Sequence, residues 1–143
     1  MWRAILGAVF AFFVWNAIWL GSEKLMSAIW PKWYGAHQTA FEAAVTKGGD
    51  FKPDTTILVL NIVRAAIVST IAGWLASIIA GESRRSPRIL AGLLIAFCLL
   101  MVAMSYQIVP LWYYAFFLAV LIPACLLGGS LRRTGAKGGQ LQG

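Results

Sequence analysis

The sequence predicts an all-α membrane protein: four transmembrane helices, with an interfacial helix in one long outer loop. Three observations lead there. Apolar residues make up 60% of the 143-residue chain and charged ones only 12%, and the mean hydropathy is +0.76, outside the balance of soluble domains. Four mostly apolar windows, at residues 4–21, 57–80, 89–106 and 108–128, are long enough to cross a hydrocarbon core of about 30 Å. The basic residues are unevenly spread. Arg3, the group Arg84, Arg85 and Arg88, and the group Arg132, Arg133 and Lys137 fall on one side of such a bundle, whereas the four lysines of the long loop are offset by Glu23, Glu42, Asp50 and Asp54.

That asymmetry predicts both termini on the cytoplasmic side and loop 22–56 on the other. The net charge of +7 then reads as topology and contact with anionic lipid, with no nucleic-acid partner implied. Residues 1–128 form one transmembrane bundle, and residues 129–143 a basic, glycine-rich cytoplasmic tail whose composition predicts no fixed structure.

The elements follow in order. Arg3 ahead of the first span resembles the start of a secretion signal, but no small-x-small cleavage site follows, so the segment reads as a retained helix. Beyond Gly21 the helical spacing continues through Leu25, Met26, Ile29 and Trp30 until Pro31 ends it. In the loop, Thr39 and Glu42 fit a capping box, and Phe41, Ala44 and Val45 form an apolar stripe up to Gly48. This predicts either a short helix on the outer membrane surface or an ordered loop packed on the bundle. Asp54 after Pro53 predicts the N-cap of the second span, and Ser86 before Pro87 that of the third; Pro110 opens the fourth, and Gly128 and Gly129 close it. The turn 105–110 is short enough to make the last two spans antiparallel neighbours.

Within the second span, Ala65, Ser69, Gly73, Ser77 and Gly81 recur every four residues and form a small-residue face, which in lipid favours close helix contact. Trp30, Trp33, Tyr34 and Trp112 fit an aromatic belt at headgroup depth, leaving a lipid-, quinone- or pigment-contacting surface as the other reading. Cys98 and Cys125 lie inside spans and read as small apolar packing residues.

Arg64 is the exception in its span. A cation there costs about 2.5–3.5 kcal/mol on insertion scales, so a partner or a wet pocket is expected. Asn16, Asn61, Tyr106, Gln107, Tyr113 and Tyr114 lie at similar depth on all four spans, with Glu23 and Glu42 able to reach down from outside. Two readings stand side by side: an outward-facing polar pocket suited to an anionic or carbonyl-bearing ligand, and an internal hydrogen-bonded network or an arginine snorkelling to lipid phosphate.

Catalytic chemistry is poorly served. No Asp or Glu falls in any of the four windows, His37 is the only histidine and reads as a solvated loop residue, and no His, Cys and carboxylate spacing makes a metal site. Ser69, Thr70 and Ser77 have no base nearby in sequence. A proton-coupled exporter needs an intramembrane acid, which these windows lack. The expectation is a non-enzyme with no cofactor and no metal.

The segment "PLWYYAFFLAVLIPACLLGGSLRR" from Pro110 resembles a pattern in small uncharacterised bacterial four-helix inner-membrane proteins: Pro-x-Trp-Tyr opening the last helix, a mid-helix proline at Pro123, and Gly-Gly then Arg at the close. In that pattern a histidine often follows the Trp-Tyr pair, where Tyr114 stands here. The resemblance covers about a sixth of the chain and implies a bacterial inner membrane, with no chemistry attached. The leading expectation is an accessory subunit packing against a larger membrane complex, its partners being lipids and other membrane subunits. The alternative is a homo-oligomeric carrier or channel for a small anionic or amphipathic solute, with Arg64 lining the route.

Overall fold

The computed structural model describes residues 1–82 and 84–141, with side chains through residue 132. It contains helices α1 (Trp2–Ile29), α2 (Ala36–Lys47), α3 (Thr55–Ala80), α4 (Arg85–Ser105) and α5 (Leu111–Leu141), with a π-type turn, Pro31–Gly35, between α1 and α2. There is no strand among the described residues. Four helices are long and apolar enough to cross a membrane: Trp2–Ile29, Thr55–Ala80, Arg85–Ser105 and Leu111–Arg132.

α3 is the centre. It packs against α5, α1 and α4, and α4 also touches α1 and α5. Its small-residue face explains why. Ala65, Ser69, Gly73 and Ser77 are all buried, and a Cβ on Gly73 would overlap the carbonyl of Cys125 on α5. Gly81, expected on the same face, does something else. It adopts φ +72° as the residue that stops α3, its N–H bonded to Ile78 O while the Glu82 N–H reaches Ser77 O, a closure that only glycine makes without strain.

Several helix limits differ from the sequence expectation, each for a local reason. α1 is not one of them: it runs on past Gly21, where an added Cβ would meet nothing, and stops before Pro31 as its apolar spacing predicts. α2 starts at Ala36 and the Thr39 capping box does not form, because the Thr39 hydroxyl donates to Gly35 O. α3 does begin on Asp54, whose carboxylate accepts from the Thr56 N–H at 2.9 Å.

At the start of α4 the cap is Glu82 and not Ser86: its carboxylate accepts from the backbone N–H groups of Ser86 (2.6 Å), Arg85 (3.0 Å) and Arg84 (3.4 Å). A carboxylate suits that position because three orphan donors and the positive end of the helix dipole converge there. Burial pulls the Glu82 carboxyl upward, but these bonds and the Arg85 charge outweigh it and hold the group below its ordinary value.

α4 ends at Ser105, and residues 108–110 lie outside any helix, so α5 opens at Leu111 behind Pro110. Gly128 and Gly129 do not close α5, which continues as helix through residues 129–141; the side chains beyond 132 and residues 142–143 of the expected tail lie outside the described structure. The two glycines serve packing. A Cβ on Gly128 would overlap the Thr70 carbonyl, and one on Gly129 would overlap the ring of Pro87.

Candidate functional site

The bundle has a loop end, where α1 runs into α2 and α4 turns into α5, and a terminal end with Met1 and the α3–α4 turn. At the loop end Arg64 is 8% exposed. Its guanidinium carbon sits 3.9 Å above the Trp19 ring, Nη1 donates to the Tyr34 hydroxyl at 3.0 Å and approaches Met26 Sδ at 3.6 Å, and Nη2 lies 3.7 Å from Glu23 Oε2. That last separation is an ion pair without a hydrogen bond, and Nε and Nη2 have no hydrogen-bond partner among the described residues. Coulomb attraction to Glu23 and the electron-rich face of Trp19 therefore carry the compensation. The Tyr34 hydroxyl in turn donates a hydrogen bond to Asn61 Oδ1 at 3.2 Å, so the chain Arg64, Tyr34, Asn61 ties the π-type turn to α3.

Of the two carboxylates able to reach down to Arg64, Glu23 does so and Glu42 is not paired with it; Tyr34, Trp19 and Met26 are the contacts that sequence reasoning did not assign to Arg64. A signal existed: Trp19, Glu23 and Met26 stand at i, i+4 and i+7, one face of a helix that continues past Gly21. Tyr34, expected as an interfacial anchor, is instead completely buried, whereas Trp30, Trp33 and Trp112 are exposed.

Beside this network lies a cavity of ≈ 350 Å³. Trp15 and Trp19, stacked with centroids 5.2 Å apart, form one wall, and Phe97, Tyr113 and Phe117 face them; Leu94 and Leu121 line its deeper part. Trp15 is fixed by its indole N–H, which donates to Ser69 Oγ at 3.0 Å. Phe41 of α2 and Phe51 of the following segment close the loop side. With Leu94 eleven positions before the last residue of α4, the cavity reaches about 16 Å into the bundle.

Of the seven residues expected around a polar pocket, Asn16, Asn61, Tyr113 and Tyr114 line the cavity. Arg64 does not line it; its charge is spent on Glu23 and Trp19. Tyr106 and Gln107 are exposed and bonded to each other at 2.9 Å, turned outward because they sit just past the end of α4. Polar atoms on the wall are mostly satisfied: Asn16 donates to Phe12 O at 2.9 Å, and Ser105 and Tyr114 share a hydroxyl hydrogen bond.

His37 is not a solvated loop residue. Its Nε2 accepts the Asp54 N–H at 3.1 Å, its ring meets Phe51 edge-on with centroids 5.0 Å apart, and its Nδ1 is buried. Burial lowers the imidazole below its ordinary 6.5, with the Asp54 carboxylate pulling the other way. Asp54 itself is held below the ordinary carboxylate value by the Trp33 indole N–H, which donates at 2.9 Å, and by the Thr56 N–H. Among the described residues no group of three or more His, Cys, Asp or Glu is placed to hold a metal.

At the terminal end a concavity of ≈ 390 Å³ between Arg3, Glu82 and Arg85 is shallow and open, with Trp2 as its one aromatic lining residue among those described. No family model, no curated protein and no solved structure matches the chain.

Proposed function

We propose that the protein is a membrane-embedded binding protein that holds a small, mostly apolar amphipathic solute in the loop-end cavity. The single observation that carries this reading is the cavity itself: aromatic walls, few polar groups, and a volume at the small end of the roughly 300–1,000 Å³ of drug-sized ligand sites. In this reading the four long helices insert in a bacterial inner membrane with both termini cytoplasmic, and α2 lies at the outer surface as the cover of the cavity. Binding is favoured over conversion because the lining is dominated by aromatic and aliphatic side chains. It is favoured over a through-route because the cavity stops near the middle of the bundle, at Leu94 and Leu121, while glycine contacts close the helices beyond it.

An accessory subunit of a larger complex is the second reading. The small-residue face that motivated it is spent inside the chain, which leaves exposed Phe13, Trp74 and Phe116 as its docking surface. Native mass determination after gentle detergent extraction separates the two. A lone chain or small homo-oligomer carrying a co-purifying small molecule supports the binding protein; a large assembly with unrelated subunits and an empty cavity defeats it.

A further inference from the structure

The cavity has a covered side and an open one. Toward the loop, Phe51 packs edge-on against both His37 and Phe41, with centroids 5.0 and 5.6 Å apart, and His37 Nδ1 is buried there, out of reach of any visitor. That side is a cover, not a way in. Toward the membrane the wall is thinner. α1 and α4 meet ring to ring where Phe12 and Trp15 touch Phe97, with centroids 5.8 and 6.5 Å apart; loopward of Phe97 no ring contact or hydrogen bond joins the two helices among the described residues. The cavity is lined there by Leu20 of α1 and Met101 of α4, and these two are its only exposed lining residues among those described. Both side chains are apolar and both helices are long enough to cross a membrane, so the mouth between them faces lipid.

A mouth with apolar lips in the bilayer admits molecules dissolved in the membrane. Charge then selects among them. Glu23, about one turn beyond Leu20 on α1, lines the cavity while its counter-charge Arg64 does not, so an incoming anion meets the carboxylate first. Gln38 of α2, half-buried on the lining and without a hydrogen bond to any described residue, offers a neutral head group both a donor and an acceptor. Polar groups at the loop end and hydrocarbon toward the middle of the bundle match the way a lipid of the loop-side leaflet already stands. A space of ≈ 350 Å³ is too small for the paired tails of a phospholipid. Resting on the proposed binding role, we propose that the solute is an uncharged single-chain lipid of that leaflet, admitted sideways between Leu20 and Met101, with its chain against Phe97 and Phe117 and its head beside Gln38.

The test uses the full chain in phosphatidylcholine nanodiscs with a trace of monododecanoylglycerol carrying a diazirine at the chain end, and maps the photolabelled residues by peptide mass spectrometry. Phe117 is buried on the cavity wall and its neighbour Phe116 is exposed on the outside of α5, so the ratio of label on the two reports entry. Label on Phe117 should at least equal that on Phe116, and a lysophosphatidylglycerol of the same chain should give a ratio about tenfold lower, the effect of one unfavourable charge contact. Leu20→Trp narrows the mouth at an exposed position; it should slow the rise of Phe117 label after probe addition by about tenfold and leave the final level within about twofold. Equilibrium dialysis of 2-ethylnaphthalene against empty discs reports separately whether the cavity holds a compact apolar probe. Label confined to Phe116 while ethylnaphthalene binds overturns the lipid assignment and leaves the binding role standing. Failure of both probes overturns both. An equal ratio for lysophosphatidylglycerol overturns the uncharged head, and an unchanged rate in Leu20→Trp overturns the sideways route.

Discussion

The two halves of this bundle use the same four helices in opposite ways. In the terminal half, glycine removes side chains where helices cross: Gly73 and Gly128 bring α3 and α5 into backbone contact, Gly7 brings α1 to 2.8 Å of the Ala76 carbonyl at its would-be Cβ, and no room is left. In the loop half, Trp15, Trp19, Phe97, Tyr113 and Phe117 hold the helices apart, and rings too rigid to fill every gap leave a cavity. Close packing is what small residues deliver in lipid, where burial of apolar surface does not drive helices together. A void is what large, fixed rings deliver, and here a buried ion pair locks them in place. One half closes the bundle, the other keeps a void in it.

The ion pair is the part of the loop half whose loss should cost most. Arg64→Met leaves Glu23 facing Trp19 without a counter-charge, and breaking a buried pair in this way costs about 3–5 kcal/mol. The Glu23 side chain keeps 18% exposure, so the expected loss is at the lower end, about 3 kcal/mol, measured by denaturant titration in detergent. Adding Glu23→Gln should recover more than half of it. A single variant that loses less than about 1 kcal/mol would mean that the aromatic walls stand without the pair.

In the terminal half the corresponding break is Gly128→Ala. The added methyl meets the Thr70 carbonyl and the Trp74 backbone nitrogen, neither of which is a flexible chain end, so α3 and α5 must separate. Overpacking of this kind costs about 1–3 kcal/mol, and backbone on backbone belongs at the upper end. The same melt checks it, with probe binding as the second readout: stability should fall while the cavity still binds. Binding lost together with stability would show that the two halves are not independent.

How much of this was readable in the sequence follows the same division. The four long helices were legible because apolar length needs no tertiary information, and the central place of α3 because its small residues repeat with the helical period. The glycines at 128 and 129 misled, since the same residue that ends a helix also permits close crossing, and only the neighbour decides which. Arg64 was legible as a problem and, through Glu23, as half of its solution. Tyr34, 30 residues upstream, was not legible as a partner, because pairing it required knowing that the π-type turn folds it back onto α3. The polar rim of the cavity was legible, since Asn16, Asn61, Tyr113 and Tyr114 line it; its apolar depth was not, because a void is a property of how rings fail to meet.

A smaller effect tests the cover of the cavity. The His37 imidazole is pulled below 6.5 by burial, so between its folded value and 6.5 the unfolded chain binds more protons than the folded one. Stability therefore rises with pH across that window; the His37 contribution is complete above about 6.5 and is lost as pH falls through the folded value. Protonation removes the acceptor for the Asp54 N–H, worth about 1 kcal/mol. The stability difference between pH 7.5 and 5.5 should shrink in His37→Phe by that amount, and protection of the Asp54 amide, taken relative to its intrinsic exchange rate, should fall on acidification in the wild type alone. An identical pH response in both chains would detach His37 from the cover.

The smallest expected effect has the opposite sign and marks where the glycine contacts stop. Gly92 lies inside α4, is exposed, and an added Cβ would meet nothing within 4 Å. Gly92→Ala should therefore only relieve the helix penalty of glycine, a gain of about 0.5–1 kcal/mol in the same titration, and leave probe binding unchanged. Set beside Gly128→Ala, it separates two uses of one residue type: at 128 the missing side chain is a contact, at 92 it is only a missing methyl. The comparison has one informative way to fail. Stabilisation in detergent combined with weaker assembly in the native membrane would mean that something outside the chain approaches α4 at Gly92, and the accessory-subunit reading would gain the docking face that the α3 ridge no longer supplies.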